Sequence, residues 1–301
     1  MTDTPAANAA TSPIVTGAQY LALPRDQNTW VVENILPVGG GLLLFGDPKV
    51  GKSFAALQLA ECLATGQPWL GFHVPRTVPC VYVQLDTPRT LWADRVDKLV
   101  RAGHEGLKAV YFADRDSLNT HPFDITNPDH FRLLSSALAT VKPVVVVIDT
   151  LRESHSGEEN DSTAMQKVIS HLEAVVKPAA LVLVAHSRKS NPEHGHDLMN
   201  DNRGSSYVVG RMDAIVRFSK RSVRYSSRVL EEDTLKLDRV SDGSWVLSQD
   251  EREGEAEVLL QQFPRTPVRE LARILAEKTK STEQSCHSFL RRYLEKRSHR
   301  R

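Results

Sequence analysis

Residues Gly46-Asp47-Pro48-Lys49-Val50-Gly51-Lys52-Ser53 fill every constrained position of the pattern G-x-x-x-x-G-K-[ST]. Few eight-residue stretches restrict a fold so strongly, because the pattern works only as the turn between a buried strand and the helix that follows it. Its glycines let the backbone wrap closely around phosphate, while successive N–H groups and the positive helix end stabilise negative charge. Both flanks supply that context. Leu42-Leu43-Leu44-Phe45 precedes the loop as an apolar, strand-like run, and Phe54-Ala55-Ala56-Leu57-Gln58-Leu59-Ala60 follows it with helical composition. Residues 46–54, Phe54 included, are therefore expected to hold a nucleoside triphosphate, with Lys52 reaching the β and γ phosphates and the Ser53 hydroxyl holding Mg²⁺.

Further apolar runs with strand character occur at 79–85, 109–112, 144–148 and 180–185, alongside 41–45. Most are continuous rather than alternating, which suits parallel strands buried on both faces. Helical stretches at 53–64, 90–102, 130–140 and 161–176 separate them. This alternation predicts an α/β fold, a doubly wound, mostly parallel sheet with its ligand at the carboxyl ends of the strands. The texture then changes: short strand-like segments at 214–218, 222–230, 234–240 and 244–247, with Asp242-Gly243 as a tight-turn signal, predict an antiparallel extension. Residues 251–254, charged and ending in glycine, read as a linker. Three short helices are expected after it, at 255–263, 268–278 and 282–297, as a helix-turn-helix or winged-helix unit or else a helical cap. The expected organisation is a flexible tail at 1–13, an ATPase domain at 14–250 and a basic helical unit at 255–301.

The chain is long enough, at 301 residues, for one large α/β domain and a small appendage, and 41% hydrophobic with 25% charged residues excludes disordered and collagen-like classes. Cys62, Cys80 and Cys286 are widely spaced and form no metal-ligand pair, pointing to a reducing, cytoplasmic setting. No apolar run approaches the roughly 20 residues that span a bilayer, and the first 13 residues lack the order of a signal peptide. The net charge of +1 hides an uneven distribution: over 255–301 basic residues outnumber acidic ones by five. A basic end on a nucleotide-binding body points towards nucleic acid.

Hydrolysis requires a carboxylate near Mg²⁺, a group that orients water and a positive charge for the transition state. Val144-Val145-Val146-Val147-Ile148-Asp149 is a buried-strand pattern that would set Asp149 beside the metal. Asp86, after Val81-Tyr82-Val83-Gln84-Leu85, either polarises the attacking water or opens a turn into Pro88. His186 ends another apolar run, placed to hydrogen-bond a γ-phosphate or to serve the structure alone. The polar stretch 191–202 reads as a loop contacting nucleic acid or a neighbouring subunit. Arg203, which closes it, is a candidate for reaching a neighbour's γ-phosphate, with Arg211 in reserve.

The order of these motifs matches a family. Trp30-Val31-Val32-Glu33, Leu36-Pro37 and Gly39-Gly40-Gly41 lead into the phosphate loop. Tyr82 to Asp86, Ile148-Asp149-Thr150-Leu151, Glu159-Asn160-Asp161, His186 to Lys189 and Arg203-Gly204-Ser205-Ser206 then follow in turn. Over roughly 30–218 the chain resembles the RecA-type ATPases related to the plasmid replicative helicase RepA. The resemblance implies a RecA-like core, a ring of six subunits with ATP between neighbours, and single-stranded DNA in the central channel. It assigns the phosphate and Mg²⁺ roles to Lys52 and Ser53, the second-motif carboxylate to Asp149, the sensor to His186 and a finger to Arg203. The family has glutamate where this chain has Asp86, a loss of about one methylene of reach, which predicts slow hydrolysis or a bridging water. Two functions are expected: a phage- or plasmid-type ring helicase, or an ATP-regulated DNA-binding adaptor whose terminal helices hold duplex DNA.

Overall fold

The computed structural model describes residues 14–23, 29–159, 161–187, 206–248, 251–264, 266–279 and 283–298. A short exposed helix, α1 (Gly17–Leu21), and an antiparallel ribbon of β1 (Trp30–Val32) and β2 (Leu36–Pro37) come first. The core then runs β3 (Gly41–Gly46), α2 (Lys52–Thr65), β4 (Cys80–Gln84), α3 (Arg89–Arg101), β5 (Tyr111–Asp114), α4 (Pro128–Val141) and β6 (Val145–Asp149). It continues through α5 (Ser162–Val176), β7 (Ala180–His186), α6 (Ser206–Arg211) and β8 (Ala214–Phe218). A meander of β9 (Ser222–Ser227), β10 (Asp233–Arg239) and β11 (Trp245–Leu247) precedes three helices, α7 (Glu251–Gln262), α8 (Val268–Thr279) and α9 (Glu283–Ser298).

Among the described residues the main sheet has nine strands in the order β11-β10-β9-β8-β3-β7-β6-β4-β5. From β8 to β5 every neighbour is parallel, and β9, β10 and β11 add the expected antiparallel extension. β3, β4, β6 and β8 are buried at every position, as continuous apolar runs require when helices cover both faces. Successive side chains alternate between two layers. Leu42, Leu44, Tyr82, Val145 and Val147 pack with α2 and α3, while Leu43, Phe45, Val83 and Ile148 pack with α4 and α5. The chain leaves β3 towards β4 on one side and later reaches β8 on the other, so the strand order reverses around β3. In such sheets the crevice at that reversal receives the ligand.

Local chemistry explains the helix starts. The Asn127 side chain accepts from Asp129 N and precedes Pro128 at the first turn of α4, and the Asp161 side chain accepts from Thr163 N and Ala164 N at α5. Three expectations need correction. Residues 251–254 are not a linker but the first turn of α7, because Glu251, Arg252 and Glu253 are good helix formers and a single Gly254 costs only about 1 kcal/mol. The strand expected at 109–112 is displaced to β5, since a 3-10 helix occupies Glu105–Ala109. The strand expected at 222–230 ends at Ser227. The β1–β2 ribbon was not expected at all. The tail expected at 1–13 lies outside the described residues. Helices α7 to α9 share a separate apolar cluster, with Leu259, Leu271, Leu275 and Leu290 at its centre.

The meander is fastened to the phosphate-loop helix. Trp245, 1% exposed, donates from Nε1 to Gly51 O at 3.2 Å, and the Gln58 amide bonds the Trp245 backbone twice, at 2.7 and 3.1 Å. Trp245→Ala is therefore expected to cost about 3–5 kcal/mol of stability, read from urea unfolding of the full chain.

Candidate functional site

The phosphate loop leaves β3 at Gly46, whose φ is 151° and where an added Cβ would stand 2.3 Å from the Phe218 carbonyl oxygen on β8. That backbone approach admits no side chain. Gly51, at φ 98°, turns the chain into α2 through the left-handed region. Lys52 opens the helix and is buried. Its Nζ donates to the carbonyls of Gly46 and Asp47, both at 2.9 Å, and lies 3.3 Å from His186 Nδ1. The end of β7 closes one wall: Ser187 N donates to Gly46 O at 3.0 Å and Ser187 Oγ donates to Asp47 Oδ1 at 2.5 Å. Burial pulls the Lys52 ammonium down to about 8, against the opposing fields of Asp149, Asp47 and Asp86.

Asp149 ends β6 and is 1% exposed. Burial raises its carboxyl above the ordinary range, while the hydroxyls of Tyr82 and Ser53 favour the charged form. The Tyr82 hydroxyl donates to Asp149 Oδ2 at 2.7 Å. Oδ1 is buried and finds no hydrogen bond among the described residues. A buried carboxylate held within hydrogen-bond geometry by Tyr82 alone, with the Ser53 hydroxyl and the Lys52 ammonium close by, fits a hydrated cation and phosphate. The described residues contain no cluster of three or more His, Cys, Asp or Glu side chains able to enclose a metal. Mg²⁺ keeps several waters and takes one or two protein ligands together with phosphate oxygens, a role that Ser53 and Asp149 would fill.

Lys52, Ser53, Asp149 and His186 thus converge at one corner. Asp86, two residues beyond β4, is exposed, and its charge acts on both Lys52 and Asp149. Arg203 lies outside the described residues, as do Asn160, Arg188, Lys189 and the loop 191–202. Arg211 is held by Glu173 of α5 through two contacts of 2.7 Å, beside Gly39, Gly40 and Gly41 at the amino ends of the strands, away from its own phosphate loop.

Two residues of the corner have roles that the sequence does not assign. Tyr82 is one; its signal was the alternation that turns Cys80, Tyr82 and Gln84 to one face of β4. The other is Arg95 on α3, whose guanidinium stands 5.1 Å from the ring centroids of both Phe54 and Trp92 and whose charge favours ionised Asp149. Arg239 covers Phe54 as well, at 4.8 Å. Phe54 therefore sits between two guanidinium groups at the start of α2.

Phosphate oxygens replacing the loop carbonyls around Lys52 Nζ would raise its pKa from about 8. Nucleotide binding near pH 8 is then expected to take up about half a proton per site, and affinity should fall as pH rises through that value. Calorimetry in two buffers of different ionisation enthalpy measures the uptake, which Lys52→Ala should remove. Tyr82→Phe should cost about 1.5–3 kcal/mol of stability, the worth of a hydrogen bond to a charged group, read from urea unfolding.

Comparison with known proteins places this geometry in context. The ATPase domain of G40P matches with a TM-score of 0.52 at 14% identity, over 70% of this chain and 85% of that one, and shares its fold. A KaiC-like protein from the hyperthermophilic archaeon Pyrococcus horikoshii OT3 matches with a TM-score of 0.48 at 12% identity, over 73% of this chain and 94% of that one. Among the described residues no helix is long and apolar enough to cross a membrane. The family described as AAA domain matches residues 7–192, more than half of the sequence and the whole of the phosphate-loop corner. The chain accordingly belongs to the AAA domain family, as a nucleotide-binding phosphate-loop ATPase with a RecA-like fold.

Proposed function

We propose that this chain is a DNA-dependent ATPase that works as a ring-forming replicative helicase of phage or plasmid type, moving on single-stranded DNA. The observation that carries the reading is the meeting of Lys52, Ser53, Asp149 and His186 at the carboxyl ends of β3, β6 and β7. In this proposal residues 14–250 form the ATPase domain and six copies close a ring, each ATP lying between neighbours. Ser53 and Asp149 would hold Mg²⁺, which would supply positive charge to the triphosphate. Lys52 turns from the Gly46 and Asp47 carbonyls to those oxygens. Asp86 orients the attacking water, and His186, already against Lys52, senses the γ-phosphate. Arg203 of one subunit reaches the nucleotide of the next, with Arg211 in reserve.

A second reading is favoured by one specific observation: α7, α8 and α9 bury an apolar cluster of their own. A basic helical unit at 255–301 with its own core is equipped to hold duplex DNA or dock a partner. In that reading the chain is an ATP-regulated adaptor, such as a helicase loader, recombination mediator or replication-initiation factor, and hydrolyses slowly because Asp86 is short.

ATPase rate with and without single-stranded DNA, measured beside molecular mass in a non-hydrolysable ATP analogue, separates the two. The helicase reading expects DNA-stimulated turnover, strand displacement and a ring. Turnover indifferent to DNA, with no displacement, would sink it. Lys52→Ala should abolish turnover, and Asp86→Glu should raise it by about one to two orders of magnitude if Asp86 occupies the water-orienting position. No change with glutamate would assign Asp86 to its turn alone.

A further inference from the structure

Gln84 has no part in the mechanism above, yet it is the last residue of β4 and only 1% exposed. It pairs directly with Asp149 across the parallel β4–β6 ladder. Side chains at matched positions of parallel strands share a face, and Cys80 and Tyr82 on β4, like Val145 and Val147 on β6, lie in the layer that packs under α2. The Gln84 side chain therefore leaves the sheet on the phosphate-loop face, beside Asp149. Its Oε1 is buried and has no hydrogen-bond partner among the described residues, and the same holds for Oδ1 of its ladder partner Asp149. Two unsatisfied acceptors on paired residues, one charged and one neutral, are costly in an otherwise packed sheet end. The Tyr82 hydroxyl is committed to Asp149 Oδ2, and the Ser53 hydroxyl also turns towards Asp149, which leaves Gln84 Oε1 with no protein donor.

We propose that Gln84 is a positioning residue for the divalent cation: its Oε1, together with Asp149 Oδ1, accepts hydrogen bonds from water molecules of the cation's hydration shell. The inference rests on the nucleotide–magnesium reading of this corner and adds an amide to the groups that orient the cation's waters. A neutral acceptor can orient water without adding charge, whereas a second carboxylate beside Asp149 would introduce like-charge repulsion. Outer-shell partners of this kind typically change metal affinity by about 10–100-fold when removed.

The test is Mn²⁺ titration of the full chain, followed by electron paramagnetic resonance, in the presence of a non-hydrolysable ATP analogue. Wild type is compared with Gln84→Leu, and analogue affinity without metal is measured for both. Expected is Mn²⁺ binding weakened by about tenfold in Gln84→Leu. Metal-free analogue affinity should be unchanged and the melting temperature no lower, since an unpaired buried acceptor is replaced by an apolar side chain of similar size. Equal Mn²⁺ affinity in the two proteins overturns the proposal. So does an equal loss of metal-free analogue affinity, which would mark a collapsed site. Absence of a Mn²⁺ site in wild type would instead remove the nucleotide–magnesium reading itself, and the proposal with it.

Discussion

Burial of opposite charges within one corner is the constraint from which the rest of this structure follows. Lys52 and Asp149 are 5% and 1% exposed, and neither forms a direct ion pair with the other in the hydrogen-bond pattern of the site. An ionised group taken out of water is stable only where dipoles, hydrogen bonds or a ligand replace the lost hydration. Lys52 finds two carbonyls of the loop that precedes it, and Asp149 finds the hydroxyl of Tyr82. Each arrangement leaves something over: a lysine whose charge is loosely held and a carboxylate oxygen with no donor. A polyphosphate with a cation would supply what both lack.

That corner exists because the sheet is doubly wound. β3 delivers the loop, β6 delivers Asp149, β7 delivers His186 and Ser187, and β4 delivers Tyr82 and Gln84 from below α2. Continuous apolar strands make those ends rigid, since they are packed on both faces. Arg95 and Arg239 flank Phe54, so α3 and the meander meet over the first turn of the helix that carries Lys52.

Much of this was legible in the sequence because the signals are local. The phosphate loop needs its glycines at fixed spacing, and Val144 to Ile148 announces a buried strand ending in Asp149 without reference to any other segment. Tyr82 and Gln84 were harder to place: their roles come from the in-register pairing of β4 with β6, more than 60 residues apart, which no window along the chain displays. Arg95 was invisible for a similar reason, being an ordinary basic residue on a helix until that helix packs beside Phe54. Residues 251–254 misled in the opposite sense, because charge and a glycine suggest a break while Glu and Arg favour a helix when the following residues bury an apolar face.

The neighbours of β3 also set when this cradle comes into being. The strand that carries the loop is residues 41–46, but its ladder partners are β7 at 180–186 and β8 at 214–218, and the tryptophan that bonds Gly51 is residue 245. Loops that long carry an entropic cost that is recovered only when the distant strands arrive. A growing chain displays the complete phosphate-loop sequence once Ser53 is made, yet must extend through β7, β8 and on to Trp245 before that sequence has all its walls. Competence for nucleotide is thus acquired well after the loop that names it has been made.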